Sequence, residues 1–297
     1  MKRWITNGLI AVFACVFLVS AFFLVNYFIQ SRRVSDQFDY LDSLRDPNFT
    51  GGIVIDTTES TSETNNQDPT QDSTGDGTVP EPTVPASTTP KPALVTVKDP
   101  DTGALVQVLP EFAELYQLNN DIVGWISING TQINYPVMQT PSSPDYYLKR
   151  DYYGNYSDWG CIYAREACDI NKPSDNITLY GHMMKDGSMF GDLENYRYSS
   201  TYWKNHYIQF DTLTERHTYQ VFAVFRTSGT LGVGYPYYLF DNAQSEEEFN
   251  SFVSQCKSLA FYDTGITPVY GEKLITLSTC EYSIENGRLV VVARRIS

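Results

Sequence analysis

Histidine is scarce in this chain, with only His182, His206 and His217 among 297 residues. None sits beside a second histidine or cysteine at a metal-ligand spacing, so no metal centre and no cofactor are expected. Basic runs are also missing. The formal net charge is −14, and so acidic a chain is a poor binder of nucleic acid. No internal repeat appears, which excludes solenoids and propellers. The five cysteines do not form a disulfide framework. Cys15 lies in a long apolar run. Cys161 and Cys168 are close enough to pair, but Ile162-Tyr163-Ala164 between them reads as strand, so their pairing stays open. Cys256 recurs with Phe249, Phe252 and Val253 at helical spacing and reads as a core thiol. Around Cys280 nothing calls for a packing thiol.

What the chain does have is an amino-terminal apolar stretch. Leu9 to Ile29 is nearly unbroken and long enough to cross a hydrocarbon layer of about 30 Å as a helix. It exceeds a typical signal-peptide core, and Val19-Ser20-Ala21 is a poor cleavage site. The reading is an uncleaved signal anchor. Lys2 and Arg3 at one end balance Arg32 and Arg33 at the other, so charge barely sets the orientation. The lack of a second span favours the amino terminus inside and the rest extracellular. Residues 51–92 hold seven acids against Lys91, amid Thr, Ser and Pro. Such a segment buries too little apolar surface to offset its ordering entropy and reads as a disordered spacer. Of the net charge the spacer carries −6 and residues 1–50 carry +1, leaving −9 on the remainder. The organisation is therefore 1–33 cytoplasmic tip and membrane anchor, 34–93 juxtamembrane segment and spacer, and 94–297 folded domain. Unpaired cysteines in an exported chain suit a bacterium that makes few extracellular disulfides.

The folded domain reads as mainly β. Pro110 opens a short helix with Phe112, Leu115 and Tyr116 on one face. Ile122–Ile128 and Thr131–Val137 flank Asn129-Gly130, a hairpin signal. Further strands are expected at Gly160–Ala164, Ile177–Tyr180, Tyr207–Asp211, Thr218–Arg226, Lys273–Thr279 and Arg288–Arg295. One helix, Ser245 to about Ser258, precedes the Cys280 strand. Ser245 suits its cap, and Glu246, Glu247 and Glu248 suit its positive end. The sum is a closed or nearly closed β-barrel.

The chemistry gathers at one hairpin. Cys280 ends the strand Lys273–Thr279, and Arg288 opens the next apolar run. The Asn286-Gly287 pair favours the return between them. A nucleophilic thiol needs a cationic setting, and the acyl oxyanion it generates needs a fixed donor. Cys280 reads as nucleophile and Arg288 as donor to the oxyanion. His182, where the strand Ile177–Tyr180 gives way to loop, reads as general acid and then base. His206 lies among aromatics and His217 in a polar turn, so both are worse placed. Alternation puts Ser278 on the thiol's face, a position from which it could touch substrate.

These residues resemble a known family. Thr276-Leu-Ser-Thr-Cys280 with Gly287-Arg288-Leu-Val-Val-Val-Ala293 is similar to the active-site hairpin of sortases, and Leu179-Tyr-Gly-His182-Met-Met to their histidine strand. The likeness runs from about Phe112 to Ile296. Asp121–Ile126, Ile133–Val137, Tyr146-Tyr-Leu148 and the helix before Phe261-Tyr-Asp-Thr264 resemble class B. The resemblance implies a sortase barrel with an N-terminal helix and a calcium-independent cysteine transpeptidase. It implies a catalytic set of His182, Cys280 and Arg288, with substrate contacts at Leu148, Ser278 and Glu281. It also implies cleavage of a carboxyl-terminal sorting motif in secreted proteins and acyl transfer to an amine of peptidoglycan or its precursor. The alternatives are a class C-like pilin polymerase, with lysine as acceptor, and a non-catalytic wall-binding protein that uses the twenty-two tyrosines as contacts. A papain-like hydrolase would need Cys on a helix and His later in the chain.

Overall fold

A computed structural model describes residues 2–45 and 92–297, without the side chains of residues 2–6. The expected acidic spacer falls almost wholly at 46–91, outside the described residues. The chain begins with helix α1 (Lys2–Ser43). A two-stranded hairpin comes next, β1 (Val95–Lys98) and β2 (Leu105–Val108). Its turn is tied by Asp99, whose carboxylate accepts from Thr102 N at 2.7 Å and from the Tyr116 hydroxyl at 2.6 Å. A short helix, α2 (Ala113–Leu118), then leads into the barrel.

The barrel strands are β3 (Ile122–Ser127), β4 (Asn134–Met138), β5 (Ile162–Ala164), β6 (Asn176–Tyr180) and β7 (Tyr207–Thr212), the last preceded by the short helix α3 (Ser199–Lys204). They continue with β8 (Arg216–Ser228), helix α4 (Glu246–Leu259), β9 (Leu274–Glu281) and β10 (Gly287–Arg295). Among the described residues the eight strands β3–β10 close in the order β10-β8-β7-β3-β4-β5-β6-β9. Two of the pairings, β4 with β5 and β6 with β9, are parallel. The second sets up the functional rim.

Alternation explains both cores. In β9, Ile275 and Leu277 face the barrel interior and join Ile177, Leu179, Leu289 and Val291 there. Leu274 faces outward with Val290 and Val292 of β10, and these pack under Phe249, Phe252, Val253 and Cys256 of α4. The expected helix is thus present with its expected face. Ser245 accepts from Glu248 N, and the three glutamates occupy the first turn. The β3–β4 return also obeys the sequence signal: Gly130 has φ of +76°, and a Cβ there would meet Asn205 at 2.9 Å.

The structure departs from the sequence reading at one end of α1. That reading closed the anchor at Arg33 and assigned residues 34–93 to a juxtamembrane segment and spacer. Instead the helix runs on to Ser43, and Phe38, Leu41 and Leu44 are buried against the barrel. Phe38 meets the Tyr135 ring edge-on at 4.9 Å, and Asn134 Nδ2 donates to Asp42 at 2.9 Å. Arg45 pairs with Asp211 at 3.4 Å and lies 4.5 Å from the Trp125 ring centre. Val34, Phe38, Leu41 and Leu44 form an apolar stripe at helical spacing. The adjoining charged residues make that stripe hard to see beside the longer apolar run.

All five cysteines are free thiols, so Cys161 and Cys168 do not pair. Both are buried, and burial raises both thiols, Cys168 to about 12. Cys256 is raised by burial as well.

Candidate active site

Strands β6 and β9 run side by side and in the same direction, with Tyr180 opposite Ser278. The pairing extends one step past the end of β6. Gly181 N donates to Ser278 O at 3.2 Å, and Thr279 Oγ1 donates to Gly181 O at 2.8 Å. His182, just past β6, and Cys280, next to last in β9, therefore stand at the same level of the rim. Glycine is required at 181, because a Cβ would come within 2.5 Å of Ile162 and 2.7 Å of Phe190. Bringing these two segments together takes the whole barrel, since 98 residues separate them in sequence.

Arg288 enters from the other side of Cys280. The two are directly opposed in the β9/β10 ladder, which puts their Cβ atoms about 4.5–5.5 Å apart on one face. The five-residue return between Glu281 and Gly287 contains Asn286 at φ 50°, a left-handed conformation that asparagine tolerates. The Arg288 Nη1 donates to Asn286 O at 3.2 Å, Asn286 Oδ1 at 2.9 Å and Gly287 O at 2.9 Å. Only that nitrogen is engaged among the described residues, which leaves Nε and Nη2 available. The cation also acts on Tyr163 and Tyr237, favouring the ionised form of each.

His182 is partly buried, and its Nε2 lies 2.7 Å from Leu148 O. A carbonyl can only accept, so the bond requires a proton on Nε2 and leaves Nδ1 as the basic nitrogen of the neutral ring. Burial lowers the imidazole below its ordinary 6.5; the Leu148 bond opposes this, Lys149 adds to the lowering and Asp158 opposes it. Lys149 and Asp158 are themselves paired at 2.8 Å. We expect NMR titration of His182 to give a midpoint below 6.5, raised in Lys149→Ala and lowered further in Asp158→Ala. The sign for stability comes from linkage. As pH falls below 6.5 the unfolded chain takes up the proton first, so stability declines from 6.5 down to the lower folded value and stays reduced below it, while the cost is absent well above 6.5.

The remaining sequence candidates are placed differently. Leu148 is exposed at 37 %, beside the imidazole its carbonyl holds. Ser278 shares the outward face of Cys280, as alternation predicts, but is 2 % exposed and bonded to the Tyr237 hydroxyl at 2.5 Å. Direct substrate contact by Ser278 is therefore closed in this state. Glu281 faces the opposite way and is 4 % exposed, with Oε1 accepting from Ser283 N at 3.1 Å and Arg197 at 3.3 Å. Its carboxylate braces the hairpin instead of opening on the rim. Gly287 permits this, since a Cβ there would lie 2.8 Å from Glu281 Oε2.

Tyr237 escaped the sequence reading. It sits in a short 3-10 turn (Tyr237–Leu239) on the chain between β8 and α4, a segment whose aromatic run offers no pattern to single one out. Burial is the main cause that pushes its hydroxyl up to about 12, and Arg288 and Cys280 both act on it electrostatically. Tyr237→Phe leaves the Ser278 hydroxyl without its buried partner, at a cost of about 1–3 kcal/mol. A melting curve should fall by several degrees, while an unchanged curve would mean that water replaces the bond.

A closed barrel with a thiol and a guanidinium opposed at one strand mouth, and an imidazole at the next, has the arrangement of a cysteine transpeptidase. Residues 126–296 match the sortase domain family, and the chain belongs to it. Within the family it is of class B. It is 32 % identical over 191 residues to sortase B of Staphylococcus aureus, covering 64 % of this chain and 76 % of that one. Sortase B of Listeria monocytogenes is 29 % identical over 208 residues, covering 69 % and 82 %. Among solved structures, an S. aureus sortase B–substrate complex superposes with TM-score 0.58 at 32 % identity, covering 64 % of this chain and 86 % of that one. A B. anthracis sortase B structure gives 0.58 at 37 %, covering 64 % and 84 %.

Proposed function

We propose that Cys280 is the nucleophile, His182 the general acid and base, and Arg288 the oxyanion donor of a sorting reaction. The observation that carries this is the pairing of Cys280 with Arg288 across one ladder, with His182 just past the end of the parallel neighbour β6. Cys280 attacks the carbonyl before the last residue of a carboxyl-terminal sorting motif, its thiol proton passing to the neutral His182 imidazole. Negative charge develops on the carbonyl oxygen, where the free guanidinium nitrogens can donate. His182 protonates the departing amine, and the acyl group stays on sulfur as a thioester. An incoming amine then loses its proton to His182 and displaces the thiolate. Leu148, exposed beside His182, supports a substrate contact there.

The acceptor is an amine of peptidoglycan or its lipid-linked precursor. A relative, sortase B, has been solved in complex with triglycine, which favours a glycine-type amine as the first to try. The substrates are secreted proteins that bear the motif. The apolar amino-terminal helix, long enough to cross a membrane, anchors the enzyme with its barrel, the catalytic domain, outside the cell.

A peptide library incubated with the full chain and candidate amines tests the reading, with products identified by mass. Transfer products that require Cys280 support it. Hydrolysis alone with every amine would remove the wall-anchoring role and leave a peptidase.

A further inference from the structure

We propose that α1 is a rigid mount that fixes the barrel against the membrane, so that the docked helix itself sets the distance between the two. This rests on the membrane-anchor reading of the apolar run and goes beyond the proposed reaction. The first observation is continuity. One helix, Lys2–Ser43, includes both the apolar run to Ile29 and the barrel-docked stripe. From Ile29 to Val34 the helix rises only about 8 Å. Contacts begin even earlier: the Tyr27 ring lies 5.5 Å from the buried Trp159 ring, and Ser31 Oγ donates to Asp186 at 3.2 Å.

The second observation is the strength of the dock. Phe38 and Leu44 are 5 % exposed and Leu41 is fully buried. Arg45 closes the helix end through Asp211 and the Trp125 face. The third concerns where the chain returns. Arg45 and Asp42, at the end of α1, line one cavity together with Pro92 and Ala93, where the described chain resumes. Departure and return therefore share a corner of the barrel, as a helix docked along its length requires. A tether would instead leave the helix end in solvent and place its full length between membrane and barrel.

Full-length protein in lipid vesicles provides the test. Glu247→Cys, exposed on α4, carries a donor dye in a background of Cys15→Ala and Cys280→Ala, and the lipid carries an acceptor. Transfer is compared for the native chain, for deletion of residues 50–88 and for their duplication. Doubling a flexible tether extends it by about 1.4-fold, whereas a mount gives equal transfer at all three lengths. Transfer that falls as the segment grows overturns the proposal. In Phe38→Asp/Leu41→Asp/Leu44→Asp the dock is lost, and transfer should become length-dependent. If that variant misfolds, the length series decides alone. Failure of the native chain to float with vesicles would overturn anchor and mount together. Thiol labelling of Cys280 in a Cys15→Ala chain reports separately on the enzyme.

Discussion

A Cys280→Ala chain is expected to fold normally and to lose both peptide transfer and peptide hydrolysis by at least about 10⁴-fold, since removing the nucleophile removes the covalent step. No other thiol can substitute. Cys161, Cys168 and Cys256 are buried with raised thiols, and Cys15 lies in the apolar helix. Cys280 is only partly buried, so alanine removes little packing and the melting temperature should hold. In a Cys15→Ala background a thiol-reactive probe should label position 280, and adding Cys280→Ala should abolish both label and thioester on mass analysis. Residual turnover within tenfold of native would sink the assignment.

Arg288→Ala should lose turnover by about 10²–10³-fold, the range seen when one oxyanion donor is removed. Folding should barely change. The side chain is partly exposed and its engaged nitrogen touches only acceptors in the hairpin return, which water can satisfy. The loss should fall on kcat and kcat/KM together, because the donor matters most once charge develops. Arg288→Lys should recover only part of it, since an ammonium lacks the planar fork. A collapse in melting temperature with activity lost in proportion would mark Arg288 as structural.

Much of this architecture was legible in the order of the residues. Strands β3 to β10 fall where short apolar runs alternate or fill, and α4 where Phe249, Phe252, Val253 and Cys256 share a face. Cys280 and Arg288 were readable because a hairpin places them close in sequence as well as in space. His182 needed chemical reasoning, since parallel pairing across so long a stretch of chain leaves no local trace. The missed features have a common cause. The bond of Leu148 to His182 is made by a backbone oxygen, which no side-chain pattern encodes. Tyr237 stands in irregular chain among other tyrosines. The stripe of α1 that docks on the barrel spans few turns and adjoins a stronger apolar signal. Ser278 was placed on its strand face by alternation, which says nothing about what covers a face, whereas Glu281 was read in the return and instead ends β9.

Closure of the barrel has one more consequence. Its eight strands leave no row of unpaired amides along a sheet edge, and exposed edges are where folded domains pair with one another. The barrel itself therefore offers no edge strand that a second copy could extend. Sequence change in the connection between β8 and α4 can reshape the mouth while every ladder of the barrel stays paired.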